Sequence, residues 1–443
     1  MKKLNTSPIS GMQELLPQEQ AVFNKYKEAI REVYHRHGFL EIETPTIDRA
    51  EILFAKAGGE TEKQIYKVIK TDESADDADQ ALRFDHTVPL ARYVVEHESN
   101  LNFPFRVTQV GRNFRGERAQ KGRFREFYQC DIDVIGRGTL AVSYDAEVIQ
   151  TLIEALKKIL PGSKLRVRVS NRKLLTAFLE EKNLQEVAKD IFSIIDHSEK
   201  VPEEKTLENL QSLGIGDERV QEVLDFMKIN GHAGEVSNQL GELGVTSTLF
   251  EEGRKELIAT LNTLSESNVS GDEIVADMRI VRGLDYYTGT VFETILPDHP
   301  EIGSVCSGGR YENLAGLYTD QILPGVGGSI GLTRLFYVMS ANGLIPEEES
   351  GNPVDLAIIP LSEQEERYCL ALARAYRATA GLSVDVVLSD KKLGDKMKYA
   401  AKVAKKAVVI GPEEIAAKQH NIKDLATGDV TASHVTPEDI LNA

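Results

Sequence analysis

Cysteine is scarce in this sequence. Cys130, Cys306 and Cys369 are the only three in 443 residues, and no two form a CxxC pair. That argues against a disulfide framework and a cysteine-based zinc site, and for a reducing cytoplasm. No run of about 18 apolar residues occurs, so no membrane span is expected. The opening MKKLNTSPISGMQELLP carries two lysines but lacks the apolar region of a secretory signal. No internal repeat or low-complexity tract stands out. The glycine run GVGGSIGLTR (325–334) has the spacing of neither a P-loop nor a Rossmann fingerprint.

What is present reads as an ordinary soluble chain, 41% hydrophobic and 27% charged, long enough for two or three domains. A net charge of −17 weighs against nucleic acid on average, but binding depends on local patches. Two patches oppose the average. Residues 112–125, RNFRGERAQKGRFR, hold six basic side chains and one acid. Residues 391–406, KKLGDKMKYAAKVAKK, hold seven lysines and one aspartate, at spacings compatible with one helix face.

Periodicity organises the rest. Val22, Phe23, Tyr26, Ala29, Ile30, Val33 and Tyr34 have the spacing of an amphipathic helix over 18–37, with FLEIETP (39–45) following as a strand. Residues 103–136 read as a long hairpin, 141–160 as a helix and 164–171 as a strand. From 172 to 268 the texture changes to short helices with polar joins, read as an inserted helical module. Strands return over 273–296 and 303–309, and 325–344 is a strand running into a helix. From 352 onward, strand, helix, strand, helix and strand alternate, the pattern of a separate α/β domain over 352–443. The first domain is then 1–171 with 269–346.

The hairpin carries the chemistry. A period of two places Arg125, Phe127, Gln129, Asp131 and Asp133 on one face, and Tyr128, Cys130, Ile132 and Val134 on the other. On the incoming strand, Val107, Gln109, Gly111, Asn113 and Arg115 share a face. Such a polar face is costly to bury unless something polar docks on it. The connecting loop adds Arg118, Lys121 and Arg123, cations suited to phosphate. Further on, Arg282 precedes a glycine and two tyrosines, Arg310 and Tyr311 follow a double glycine, and Arg334 ends the glycine run.

FRVTQVGRNFRGERAQKGRFREFYQCDIDVIG resembles motif 2 of the class II aminoacyl-tRNA synthetases, and GVGGSIGLTRL resembles motif 3. The first helix and the strand ending at Pro45 resemble motif 1. RGLDYYTGTVFE and SVCSGGRYENL are similar to the signatures of the histidyl branch, and the likeness covers essentially the whole chain. The resemblance implies an α+β fold: an antiparallel class II sheet flanked by helices, a helical insertion, and a C-terminal anticodon-binding domain. It implies attachment of L-histidine to tRNA(His) through an adenylate, with ATP and its Mg2+ as cofactors, by a cytoplasmic homodimer. Arg115 and Arg282 would act on the α-phosphate, Glu117, Arg123 and Phe127 would hold ATP, and Arg334 would meet its γ-phosphate. Asp85, His86, Thr87 and Gln129 would lie at the amino acid's α-amino end. Asp133, Tyr286, Tyr287 and Tyr311 would surround the imidazole, while Arg118 and Gln120 would face tRNA. Ala119 stands where many relatives have proline, and Thr333 where an acidic residue is common. Asp85 and Asp133 are shorter than the glutamates of some relatives. The competing reading is a histidine-sensing regulatory paralogue that charges no tRNA; such chains typically lack the anticodon domain, which is present here. A class II synthetase for another amino acid is a second rival, opposed by the histidyl signatures.

Overall fold

The structure is a computed structural model describing residues 3–54, 62–72, 74, 78–118, 122–267, 274–281, 286–312, 314–346 and 352–438. Two compact units emerge, one of residues 1–14 and 26–344, the other of 15–25 and 345–443.

The first unit is built on a nine-stranded sheet. In spatial order its strands are Leu40–Glu41, Phe105–Phe114, Glu126–Ile135, Gly325–Ile330, Cys306–Tyr311, Thr290–Ile295, Arg166–Asn171, Ile274–Asp277 and Asn230–Gly231. Neighbours are antiparallel except the first pair and the pairing of Arg166–Asn171 with Ile274–Asp277. The 39–45 stretch forms only the two-residue strand Leu40–Glu41, because Ile42 leaves the ladder after one more bond to Thr108.

The hairpin register places Val107 opposite Asp133, Gln109 opposite Asp131 and Gly111 opposite Gln129. The next strand sets Gly327 beside Asp133 and Ser329 beside Asp131. The period-two reading is thus realised as one continuous polar face. The opposite face is apolar: Cys130, Ile132 and Val134 are fully buried, and helix Ser143–Ile159 lies across the Gly325–Ile330 strand. Burying each such aliphatic side chain stabilises by about 1.5–3 kcal/mol. Gly328 permits this approach, since a Cβ there would stand 2.6 Å from Leu152 Cδ1. Helix Pro17–Arg36 buries Val22, Phe23, Tyr26, Ile30, Val33 and Tyr34, and Tyr34 donates to the Cys130 carbonyl at 3.0 Å.

Residues 172–267 form six helices, Arg172–Glu181, Ala188–His197, Glu203–Gln211, Asp217–Met227, Ala233–Glu242 and Thr248–Glu266, besides 3-10 turns. They also supply the sheet's edge strand Asn230–Gly231. The second unit holds a five-stranded sheet in the order Val384–Val386, Val354–Pro360, Ala404–Ile410, His420–Asp424 and Val430–Ser433. Its first three strands are parallel, and helices Glu366–Ala380, Leu393–Val403 and Pro412–Ala417 accompany it. The 391–406 lysines do not share a helix face. Only Lys396, Lys398 and Lys402 lie in the helix, and Lys396 is buried with its ammonium donating to the Pro360 carbonyl at 3.0 Å.

Candidate active site

The polar face opens on a cavity of about 990 Å3. Arg115, Glu117, Arg123, Phe127, Gln129, Tyr287 and Arg334 line it. Arg115 follows directly on the strand Phe105–Phe114, and its guanidinium lies 4.4 Å from the Phe84 ring centroid and 5.0 Å from that of Phe127. Two aromatic faces hold a cation in one plane while leaving its N–H groups able to reach a ligand. Burial lowers the Arg115 pKa below its ordinary value, against the pull of Asp85 and Glu117. At the hairpin's stem Arg123 meets Glu117 at 3.3 Å. Arg334, in helix Leu332–Ala341, donates to the Ile302 carbonyl. Thr333 accepts from the backbone N–H of Tyr128, within the strand Glu126–Ile135, at 2.7 Å.

Beside the cavity lies a buried polar cluster. Tyr311 donates to Asp133 Oδ1 at 3.0 Å across 178 residues of sequence. Burial above all, then the Asp131 carboxylate, raises the Asp133 pKa well above 3.8, while Tyr311's hydrogen bond opposes the shift. Gly327 makes room for this carboxylate, because a Cβ there would overlap Asp133 Oδ1. Asp85 accepts from the Val88 backbone N–H at 3.0 Å and from the Tyr286 hydroxyl at 3.5 Å. Burial raises its pKa too. A side-chain hydrogen bond joins Tyr286 to Thr87 at the start of helix Thr87–His97. Tyr286 stacks edge-on against both Tyr287 and Tyr311, with centroids 4.9 and 6.1 Å apart. Desolvation raises all three phenols' pKa values, so they are neutral donors.

Asp85, Thr87, Asp133, Tyr286 and Tyr311 therefore gather in one cluster, joined through Tyr287 to the cavity holding Arg115, Glu117, Arg123, Phe127, Gln129 and Arg334. His86 is buried and does not line the cavity. Arg118 is exposed. Arg282, Gln120, Ala119 and Lys121 lie outside the described residues. Arg310 turns to the other side of the sheet, where it pairs with buried Asp145 at 2.7 Å and holds the Leu140 and Ala141 carbonyls. The helical stretch contributes what sequence reasoning passed over. Arg172, Lys189, Phe192, Ser193 and Asp196 form part of the cavity wall, with the Arg172 guanidinium 5.0 Å from the Phe192 ring centroid. The i, i+3, i+4 and i+7 spacing of Lys189, Phe192, Ser193 and Asp196 is the signal that could have found those four. Among the described residues no group of three or more His, Cys, Asp or Glu side chains is placed to hold a metal ion.

Comparison with known proteins bears on this geometry. The family model described as histidyl-tRNA synthetase matches residues 11–335, and that of an anticodon binding domain matches 355–442. The histidine--tRNA ligase of Clostridium tetani is 44% identical over 432 residues, covering 97% of this chain and 96% of its own length. That of Stenotrophomonas maltophilia is 42% identical over 443 residues, covering 96% and 94%. The crystal structure of histidyl-tRNA synthetase from Nostoc sp. PCC 7120 matches with a TM-score of 0.85 at 35% identity, covering 99% of each chain. The α+β sheet, the polar hairpin face and a likeness running almost end to end converge: the chain belongs to the histidyl-tRNA synthetase family.

Proposed function

We propose that this chain joins L-histidine to tRNA(His) in two steps that share the cavity. A carboxylate oxygen of histidine attacks the α-phosphorus of ATP, giving the histidyl-adenylate and releasing pyrophosphate. A hydroxyl of the tRNA's terminal ribose then attacks the adenylate carbonyl carbon, and AMP leaves. The observation that carries this reading is the juxtaposition, on one sheet face, of an arginine-lined cavity and an enclosed cluster of carboxylates and phenols.

The carboxylate of histidine is already a nucleophile at neutral pH, so activation needs positioning and charge neutralisation more than a base. Arg115, with Arg282 from the other side, neutralises the α-phosphate. Glu117 and Arg123 hold the nucleotide, Phe127 stacks on adenine and Arg334 meets the γ-phosphate. Asp85, Thr87 and Gln129 take the α-amino group. A neutral imidazole offers one donor and one acceptor, and Asp133 with Tyr287 answers both, Tyr286 and Tyr311 closing the sides. Magnesium arrives with ATP and is held chiefly by phosphates and water. Residues 352–443 bind the anticodon, 172–268 clamp the acceptor arm, and Arg118 with Gln120 read its end. The functional form is a cytoplasmic homodimer; the exposed Leu40, in the edge strand, and the exposed Ile47 are apolar surface a partner would cover. Light scattering at micromolar concentration checks this, and a fully active monomer contradicts it.

Histidine-dependent ATP–pyrophosphate exchange, run against a panel of amino acids and followed by charging of tRNA(His), tests the main reading. Exchange with histidine alone, and charging, are expected. A chain that binds histidine without exchange is instead a regulatory paralogue.

A further inference from the structure

Four polar side chains of the sheet face, from three strands, form a hydrogen-bond chain with one direction. Asn113 Nδ2 donates to Gln129 Oε1 at 2.9 Å, Gln129 Nε2 donates to Ser329 Oγ at 2.7 Å, and Ser329 Oγ donates to Asp131 Oδ1. Beyond it, His86 Nδ1 stands 3.3 Å from Asp131 Oδ2, with the His86 side chain 1% and the Asp131 side chain 6% exposed. Neither His86 ring nitrogen completes a hydrogen bond with any described residue. At 3.3 Å the two groups are within reach of each other. His86 precedes helix Thr87–His97, and Gln109 Nε2 ties its carbonyl to the sheet at 3.2 Å.

The chemistry of the four groups sets the direction. A carboxylate oxygen accepts, and the Ser329 hydroxyl donates to it. That hydroxyl then has only lone pairs to offer Gln129, whose amide must turn its NH2 toward Ser329. The Gln129 carbonyl oxygen is left to accept from Asn113, and Gln129 lines the cavity. An amide can sit in either of two orientations of nearly equal shape, and here only one both gives Ser329 a donor and accepts from Asn113. The distinction matters to a ligand bearing an ammonium group, which has three donors and no acceptor. Carbonyl oxygen attracts it; NH2 repels it.

We propose that His86 is a positioning residue: acting through Asp131 and Ser329, it orients the Gln129 amide so that the cavity presents an acceptor to the substrate's α-ammonium group. This rests on the reading that Gln129 meets the α-amino end of histidine. His86 does so by presenting Nδ1 to Asp131 Oδ2 at 3.3 Å, which holds that carboxylate in line with Ser329, and it touches no substrate atom.

The test is steady-state pyrophosphate exchange on the full chain, with KM measured separately for histidine and for ATP. His86→Leu removes the donor, Asp131→Asn lets the side chain donate to Ser329 and so allows the relay to reverse, and His86→Asn keeps an N–H near the Nδ1 position. The first two are expected to raise KM for histidine about tenfold, the scale of losing a hydrogen bond to a charged group, with KM for ATP unchanged. His86→Asn recovers most of the loss. Circular dichroism identifies any variant that fails to fold, in which case Ser329→Ala, which breaks the same chain at a small site, replaces it. An unchanged KM for histidine, an equal rise in both KM values, or no recovery in His86→Asn overturns the proposal. A wild-type chain with no histidine-dependent exchange would instead overturn the functional reading beneath it.

Discussion

The two sheets bury polar groups in opposite ways. In the C-terminal unit the five-stranded sheet is apolar on both faces: Leu356, Ile358, Val408 and Ile410 pack with Cys369, Leu372 and Tyr376, and Ala357, Ile359 and Ala407 pack with Val387 and Ala400. Its buried polar side chains have partners within the chain. Glu365 accepts from Ser362, Lys396 donates to Pro360, and His420 Nε2 meets the Tyr376 hydroxyl at 2.5 Å. On the hairpin face Asp85, Asp131, Asp133 and His86 are buried together, neither His86 ring nitrogen has a hydrogen-bond partner among the described residues, and burial raises the pKa values of Asp85 and Asp133. Hydrogen bonds from Ser362 hold Glu365 below its ordinary value. One sheet is complete in itself. The other carries unmet polar capacity that a ligand can use, which is where electrostatic pre-organisation for catalysis is expected.

The largest break in this contrast is Arg115→Ala. It should lower histidine-dependent pyrophosphate exchange by about a hundredfold to a thousandfold, the usual cost of removing a donor to developing charge. Charge removal on the C-terminal unit, as in Lys398→Ala, should leave exchange unchanged, and the two rates measured side by side check the difference.

Glycine substitutions sharpen it next. Gly327→Ala drives a methyl group into Asp133 and should destabilise the protein by about 1–3 kcal/mol in denaturant melts. Gly394→Ala, near the start of helix Leu393–Val403, meets nothing within 4 Å and should be neutral or stabilise by up to about 1 kcal/mol.

Removal of one phenolic hydroxyl should cost less. Tyr376→Phe leaves His420 and Ser433 without that partner and should destabilise by about 1 kcal/mol with exchange intact. Tyr311→Phe should raise KM for histidine, because Asp133 loses the hydrogen bond that favours its charged form. Melting curves and exchange kinetics on both variants separate the outcomes.

The smallest effects are in pH dependence, and their signs differ between the sheets. Asp133 has a raised pKa in the folded chain, so stability is fully present below 3.8 and lost as pH rises through the raised value. Asp133→Asn cannot ionise, and its Tm relative to wild type should climb over that same rise. Asp355 is held below 3.8 by Lys405 and by the Ser383 backbone N–H. Its stability is present above 3.8 and lost as pH falls through the lowered value. Asp355→Asn should therefore melt lower than wild type at neutral pH and lose that deficit in acid. Scanning calorimetry across pH on the ligand-free protein reads both signs.

Much of the fold was legible in the sequence because its signals are local. A period of two assigned Gln129, Asp131 and Asp133 to one face and Cys130, Ile132 and Val134 to the other, since side-chain direction along a strand depends only on position. The same holds for the apolar stripe of helix Pro17–Arg36 and for the alternating elements after residue 352. Side-chain partners are another matter, because they depend on which distant strands become neighbours. Tyr311 reaches Asp133 only because the Gly325–Ile330 strand, with glycine at 327, runs between theirs. Arg310 and Tyr311 look alike in the sequence, yet adjacent strand positions send them to opposite sides. Lys396, one of seven clustered lysines, is buried because the helix turns it inward to a carbonyl at the end of a strand. Arg172 and Lys189 become cavity walls only when the helices carrying them fold back beside the hairpin. The chain's local chemistry determined which residues share a face; long-range closure of the sheet decided which of them meet, because a contact between residues 178 apart has no period to announce it.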